Sequence, residues 1–147
     1  NVKQFKLSMP KKSLGKKLTR DEKRNLDVEI GFIEGLVRRD PEYVEALQIL
    51  GDDYTRRDRF EDGLGIDEQL AQLRPHDSTV LYNLACSYSL MGRTDAAFAA
   101  LHRALAAGYT DFKWMAQDPD LEALRKHPLY EDVRAKIKTA KPKAKPA

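Results

Sequence analysis

Two stretches of this chain repeat each other at a spacing of 34 residues, and that period constrains the fold more than any other feature. Leu47, Leu50, Gly51, Tyr54 and Gly63 stand 34 positions before Leu81, Leu84, Ala85, Tyr88 and Ala97. A fixed period of this size marks stacked supersecondary units, each too small to bury its apolar face alone. Within each copy the apolar residues recur at helical spacing. Leu81, Leu84 and Tyr88 lie on one face, and Ala85, Ala97 and Ala104 supply small side chains where two helices cross closely.

The signals for helix ends are local. Thr19 and Glu22 have the spacing of a capping box. Leu26, Ile30, Ile33 and Val37 then form an apolar stripe, which Phe32 and Leu36 are expected to widen, and Asp40-Pro41 closes the helix. The next helix is expected near 42–56 and its partner near 60–73, and Asp58 between them tolerates the left-handed conformation better than most residues. Asp77 caps a third helix, Gly92 takes the following turn, and Gly108 ends the fourth. Beyond Gly108 the period starts again near Trp114 and fails. Asp118-Pro119 opens a new helix through Leu121 and Leu124, and Pro128 opens another carrying Tyr130, Val133 and Ile137.

The order large, large, small, aromatic, small, small resembles the tetratricopeptide repeat family. The resemblance covers about 44–108 at full-repeat quality, and 20–138 with a leading half repeat and a trailing cap. It implies an all-α fold: a right-handed antiparallel helical-hairpin solenoid of about seven helices. The expected organisation is a half repeat over 19–40, repeats over 42–76 and 77–109, and C-terminal capping helices over 111–138. A basic tail over 1–18 and a Lys/Ala/Pro tail over 139–147 are expected to be disordered. The first repeat departs from the family pattern. Gly63 replaces an alanine at the crossing, and Asp67 stands where a bulky apolar residue is usual. It should be the less stable of the two.

Charge is distributed unevenly. The net +3 combines +7 over residues 1–24, +6 over 134–147 and −10 over the middle. Basic tails on an acidic body either keep the chain soluble or bind an anionic partner such as nucleic acid. The apolar runs are too short for a membrane span. The opening NVKQFKLS lacks the apolar core of a signal peptide, and Met9 is an alternative natural start to Asn1. The single cysteine, Cys86, excludes an internal disulfide and fits a reducing, cytoplasmic location.

Catalytic chemistry is weakly signalled. His76, His102 and His127 have no partner at ligand spacing, and His102 is expected on an outer helix face. Cys86 reads as a small residue on a helix surface, with no local group to activate its thiol. Asp118, Asp120 and Glu122 suit the positive end of a helix dipole. No metal, cofactor or enzymatic activity is expected.

In the family the first helices line a concave groove. Carried over by position, the candidate partner-binding residues are Gln48, Asp52 and Arg56 from the first repeat, with Glu45 and Thr55 beside them. The second repeat offers Tyr82, Asn83, Cys86 and Ser89, with Thr79 and Leu90 beside them. Tyr82 is either an interface anchor or a residue packed on the neighbouring first helix. Asn83 resembles part of the clamp that binds the C-terminal carboxylates of heat-shock chaperones. The chain has Gln48 and Asp52 where that clamp wants Lys and Asn, and an acid there repels a carboxylate. The resemblance therefore implies a non-enzymatic interaction module or scaffold for a peptide or helix of a protein partner. The alternative is a nucleic-acid- or ribosome-associated adaptor held by the basic tails. The half repeat lacks its partner helix, which leaves an apolar face that a second subunit could cover in a homodimer.

Overall fold

The computed structural model describes residues 17–140. Among them the structure is all-α, with eight α-helices and one 3-10 turn and no strand. Most of both basic tails, residues 1–16 and 141–147, lies outside the described residues. The chain divides at Pro75/His76 into two compact units. In each, one pair of consecutive helices packs as an antiparallel hairpin joined by a three-residue turn.

In the first unit, α1 (Arg20–Arg39) starts at Thr19, whose hydroxyl accepts the Glu22 amide at 3.1 Å. Asp40 ends it. Leu26, Ile30 and Ile33 are buried. Ile30 and Ile33 join Ala46, Leu50 and Tyr54 of α2 (Val44–Arg56) in one core, with Val37, Ile49 and Ile66 packed at its edge. Burying such a side chain is worth about 1.5–3 kcal/mol, and tertiary packing of this kind stabilises a helix that would be marginal alone. Phe32 does not widen this stripe. It is 67% exposed, because it lies well over 100° around the helix from the buried face.

Helix α2 turns into α3 (Phe60–Leu73) through Asp58, which adopts φ 60°, the left-handed conformation it tolerates. Gly51 and Gly63 explain how closely α2 and α3 cross. A Cβ on Gly51 would lie 2.9 Å from Asp67 Oδ1, and one on Gly63 would lie 3.0 Å from Thr55 Oγ1. Polar links tie α1 and the loop after it to the rest of the unit. Tyr54 donates to Glu34 Oε2 at 2.6 Å, Arg57 Nε donates to Asp27 Oδ1 at 2.7 Å, and Gln69 Nε2 donates to the Pro41 carbonyl at 2.8 Å.

In the second unit, α4 (Ser78–Leu90) is capped by Asp77, which accepts from the Thr79 and Val80 amides. Gly92 turns the chain at φ 71° into α5 (Thr94–Ala106), and Gly108 leaves it at φ 101°. Ala85, Ala97, Leu101 and Ala104 are fully buried in this hairpin. The chain then breaks into short pieces: α6 (Phe112–Met115), a 3-10 turn (Pro119–Leu121), α7 (Glu122–Arg125) and α8 (Tyr130–Ala140). The 3-10 turn packs on α4, while α7 and α8 pack on α5. Helix α8 continues through Thr139 and Ala140, two residues into the stretch expected as tail. His102 is half-buried with Lys136 and Asp132 of α8 near it, rather than on an outer face. Burial and the Lys136 charge lower its imidazole pKa.

Candidate partner-binding site

The candidate residues fall on α2 in the first unit and α4 in the second, the first helix of each hairpin. On α2, Arg56 is exposed and Asp52 is half-buried. Gln48 is buried, and its Oε1 has no hydrogen-bond partner among the described residues. Next to Asp52, on the side facing α1, Asp53 is 2% exposed with Oδ2 also unpartnered. Burial pushes the Asp53 carboxyl up to about 8. A hydrogen bond to Glu29 and the charges of Glu29 and Asp52 add to this, and Arg56 opposes it. Among its neighbours, the Tyr54 hydroxyl is pushed up to about 12 by burial and by the Glu34 carboxylate.

On α4 the candidates separate sharply. Asn83 is exposed, whereas Tyr82, Cys86 and Ser89 are buried. Tyr82 is 3% exposed and packs within its own unit. Its ring stacks on Tyr109 with centroids 4.1 Å apart and planes 7° from parallel. Its hydroxyl donates to Asp118 Oδ2 at 2.7 Å, and the Cys86 thiol donates to the same oxygen at 3.6 Å. Cys86 is thus a core residue rather than a surface one, because the segment after α5 covers this face of α4. Burial raises the Tyr82 hydroxyl pKa far above its usual value, helped by Cys86 and Asp118. The Tyr109 hydroxyl is raised for the same first reason.

Asp118, 1% exposed, organises this network. Its Oδ1 accepts the Asp120 amide at 3.0 Å and so starts the 3-10 turn. Arg125 Nη1 holds the carbonyls of Met115 and Asp118 at 2.9 and 2.7 Å. The one grouping with metal-ligand potential among the described residues is Cys86, Asp118 and Asp120, with ligand atoms within 4.8 Å of one another. Donors from Tyr82, Cys86 and Asp120 already engage the Asp118 carboxylate, so hydrogen bonding accounts for its burial without an ion. The sequence reading identified Asp118 as a cap and missed its link to Tyr82. No local pattern signals a pairing across 36 residues.

Of the candidate residues, Arg56 on α2 and Asn83 on α4 are exposed, while Glu45, Asp52 and Thr55 in the first unit and Thr79 and Leu90 in the second are half-buried. No helix among the described residues is long and apolar enough to cross a membrane.

Comparison with known proteins gives partial matches. No family model matches the chain. It is 35% identical over 96 residues to an Arabidopsis thaliana protein whose name marks it as chloroplastic, covering 63% of this chain and 27% of that protein. It is 34% identical over 91 residues to the peroxisomal targeting signal receptor of Komagataella phaffii, covering 60% of this chain and 16% of the receptor. A receptor of the same name from Pichia angusta is 29% identical over 122 residues, 82% of this chain and 21% of the receptor. The chain spans about a quarter or less of the length of these relatives.

Proposed function

We propose that this chain is a non-enzymatic, tetratricopeptide-like interaction module that holds a peptide or helix of a partner protein on the exposed faces of its helical hairpins. The observation that carries this reading is the similarity to proteins named as receptors of a targeting signal, together with the helical hairpins of this chain. The network around Asp118 supports it from the chemical side. It leaves the buried thiol and carboxylate of the second unit internally satisfied, so they serve packing rather than catalysis.

The proposed contact residues are Asp52, Arg56 and Asn83. Gln48 and Ser89 bear buried polar atoms without partners that a small side-chain movement would offer to a ligand backbone. Tyr82 and Cys86 shape α4 from beneath. A soluble, cytoplasmic setting fits this reading.

The test is selection from a random peptide library on the immobilised full chain. Enriched peptides should share a motif, survive moderate salt, and lose at least about tenfold in affinity to Arg56→Glu or Asn83→Ala, the loss of a contact worth roughly 1.4 kcal/mol. Failure to enrich any motif, together with binding of nucleic acid that falls steeply with salt, would favour the tail-held adaptor instead.

A further inference from the structure

Helix α1 is apolar on two opposite faces. Leu26, Ile30 and Ile33 are buried in the first unit, while Val28 and Phe32 are 70% and 67% exposed. Among the described residues, a Cβ on Gly31 would meet nothing within 4 Å, and one on Gly35 would meet only the Arg38 guanidinium at 3.8 Å. A second helix can therefore approach this face closely.

The charges on the same face show what that helix is. At 3.6 residues per turn, Asp21, Val28, Phe32, Gly35 and Arg39 fall within a narrow strip down one side of α1. Asp21 precedes Val28 by seven residues, and Arg39 follows Phe32 by seven. The strip thus reads acid, Val, Phe, base, with its centre midway between the two apolar side chains. Turned end for end it is complementary to itself. Laid parallel on itself it sets like charge against like.

We propose that α1 pairs antiparallel with α1 of a second copy of this chain about a two-fold axis. Val28 packs against Phe32 of the partner subunit, and Asp21 meets the partner's Arg39. Each contact occurs twice by symmetry, as an isologous interface requires. Asp21 keeps its exposed pair with Arg24 at 3.1 Å within its own chain. A single pair of 20-residue helices buries less than the roughly 1,200 Å² of a standard interface, so the dimer is weak and depends on concentration.

Sedimentation velocity of the full chain over a wide concentration range tests this. The weight-average sedimentation coefficient should rise from monomer to dimer. Phe32→Lys should hold the chain monomeric while circular dichroism shows unchanged helicity. Asp21→Arg or Arg39→Asp alone should each weaken the dimer about tenfold, since each breaks two symmetry-related pairs. The double variant Asp21→Arg, Arg39→Asp should recover most of the loss, although both charges then oppose the helix dipole. A chain that stays monomeric at every concentration overturns the proposal and leaves the face to a different protein or segment. A dimer that ignores Phe32→Lys, or a double variant no tighter than the singles, also overturns it.

Discussion

The two units build the same kind of hairpin from different materials. In the second, α4 and α5 cross on Ala85, Ala97 and Ala104, and Leu101 fills the space between them. In the first, the positions 34 residues earlier are Gly51 and Gly63, then Leu70 in place of Ala104, and Asp67 in place of Leu101. The glycines give up helix propensity, roughly 1 kcal/mol each. Gly51 accommodates the acid in return, since a Cβ there would collide with the Asp67 carboxylate. The first unit buries a second acid, Asp53, against Glu29. The second unit also buries an acid, but gives Asp118 a full set of donors. Asp53 is thus tolerated by holding a proton, and Asp118 by a set of hydrogen-bond donors.

Transplanting the acid tests this contrast most severely. Leu101→Asp places a carboxylate in a fully buried site with Ala85, not glycine, at the position corresponding to Gly51. The second unit should lose about 4 kcal/mol or more, read as collapse of hydrogen-exchange protection in α4 and α5.

The first unit should carry a pH dependence of its own. Asp53 keeps its proton up to about pH 8 when folded and loses it near its ordinary value of 3.8 when unfolded. Between those values the folded state binds the extra proton. Stability therefore falls as pH rises through this window and levels off above it. Urea titrations from pH 4 to 9 should show the slope, with local exchange placing it in α1 and α2. Asp53→Asn should flatten the slope and raise stability at pH 8. An unchanged slope would mean that Asp53 is not its source.

Removing one donor from the second unit's network should have a smaller effect. Tyr82→Phe leaves the ring stacked on Tyr109 and takes the hydroxyl from buried Asp118. The expected loss is about 1–3 kcal/mol by thermal or urea denaturation. A neutral result would show that Asp118 finds another donor.

The smallest change separates the two hairpin turns. Asp58 and Gly92 occupy corresponding left-handed positions at φ 60° and 71°. Asp58→Gly should stabilise the first unit by up to about 1 kcal/mol, and Gly92→Asp should cost the second a similar amount. Equal and opposite shifts in urea midpoint would show that the turns are equivalent.

What the amino-acid sequence determined by itself was local or periodic. The caps at Thr19, Asp77 and Asp118, the left-handed turns at Asp58, Gly92 and Gly108, and the helix ends near Asp40 and Arg74 rest on interactions within a few residues. The small crossing residues followed from the 34-residue period. Of the candidate site, sequence placed the residues on the first helices but did not sort exposed Arg56 and Asn83 from buried Tyr82 and Cys86. That sorting depends on the segment after α5 folding back over α4, so that Asp118 reaches Tyr82 and Cys86 across 36 and 32 residues. The burial of Asp53 beside Glu29 was likewise settled only by packing, whereas the exposure of Phe32 follows from its angle around the helix. Short-range chemistry decides where each helix begins and ends. Which face of a helix is covered depends on where distant segments come to rest, and no local pattern encodes that.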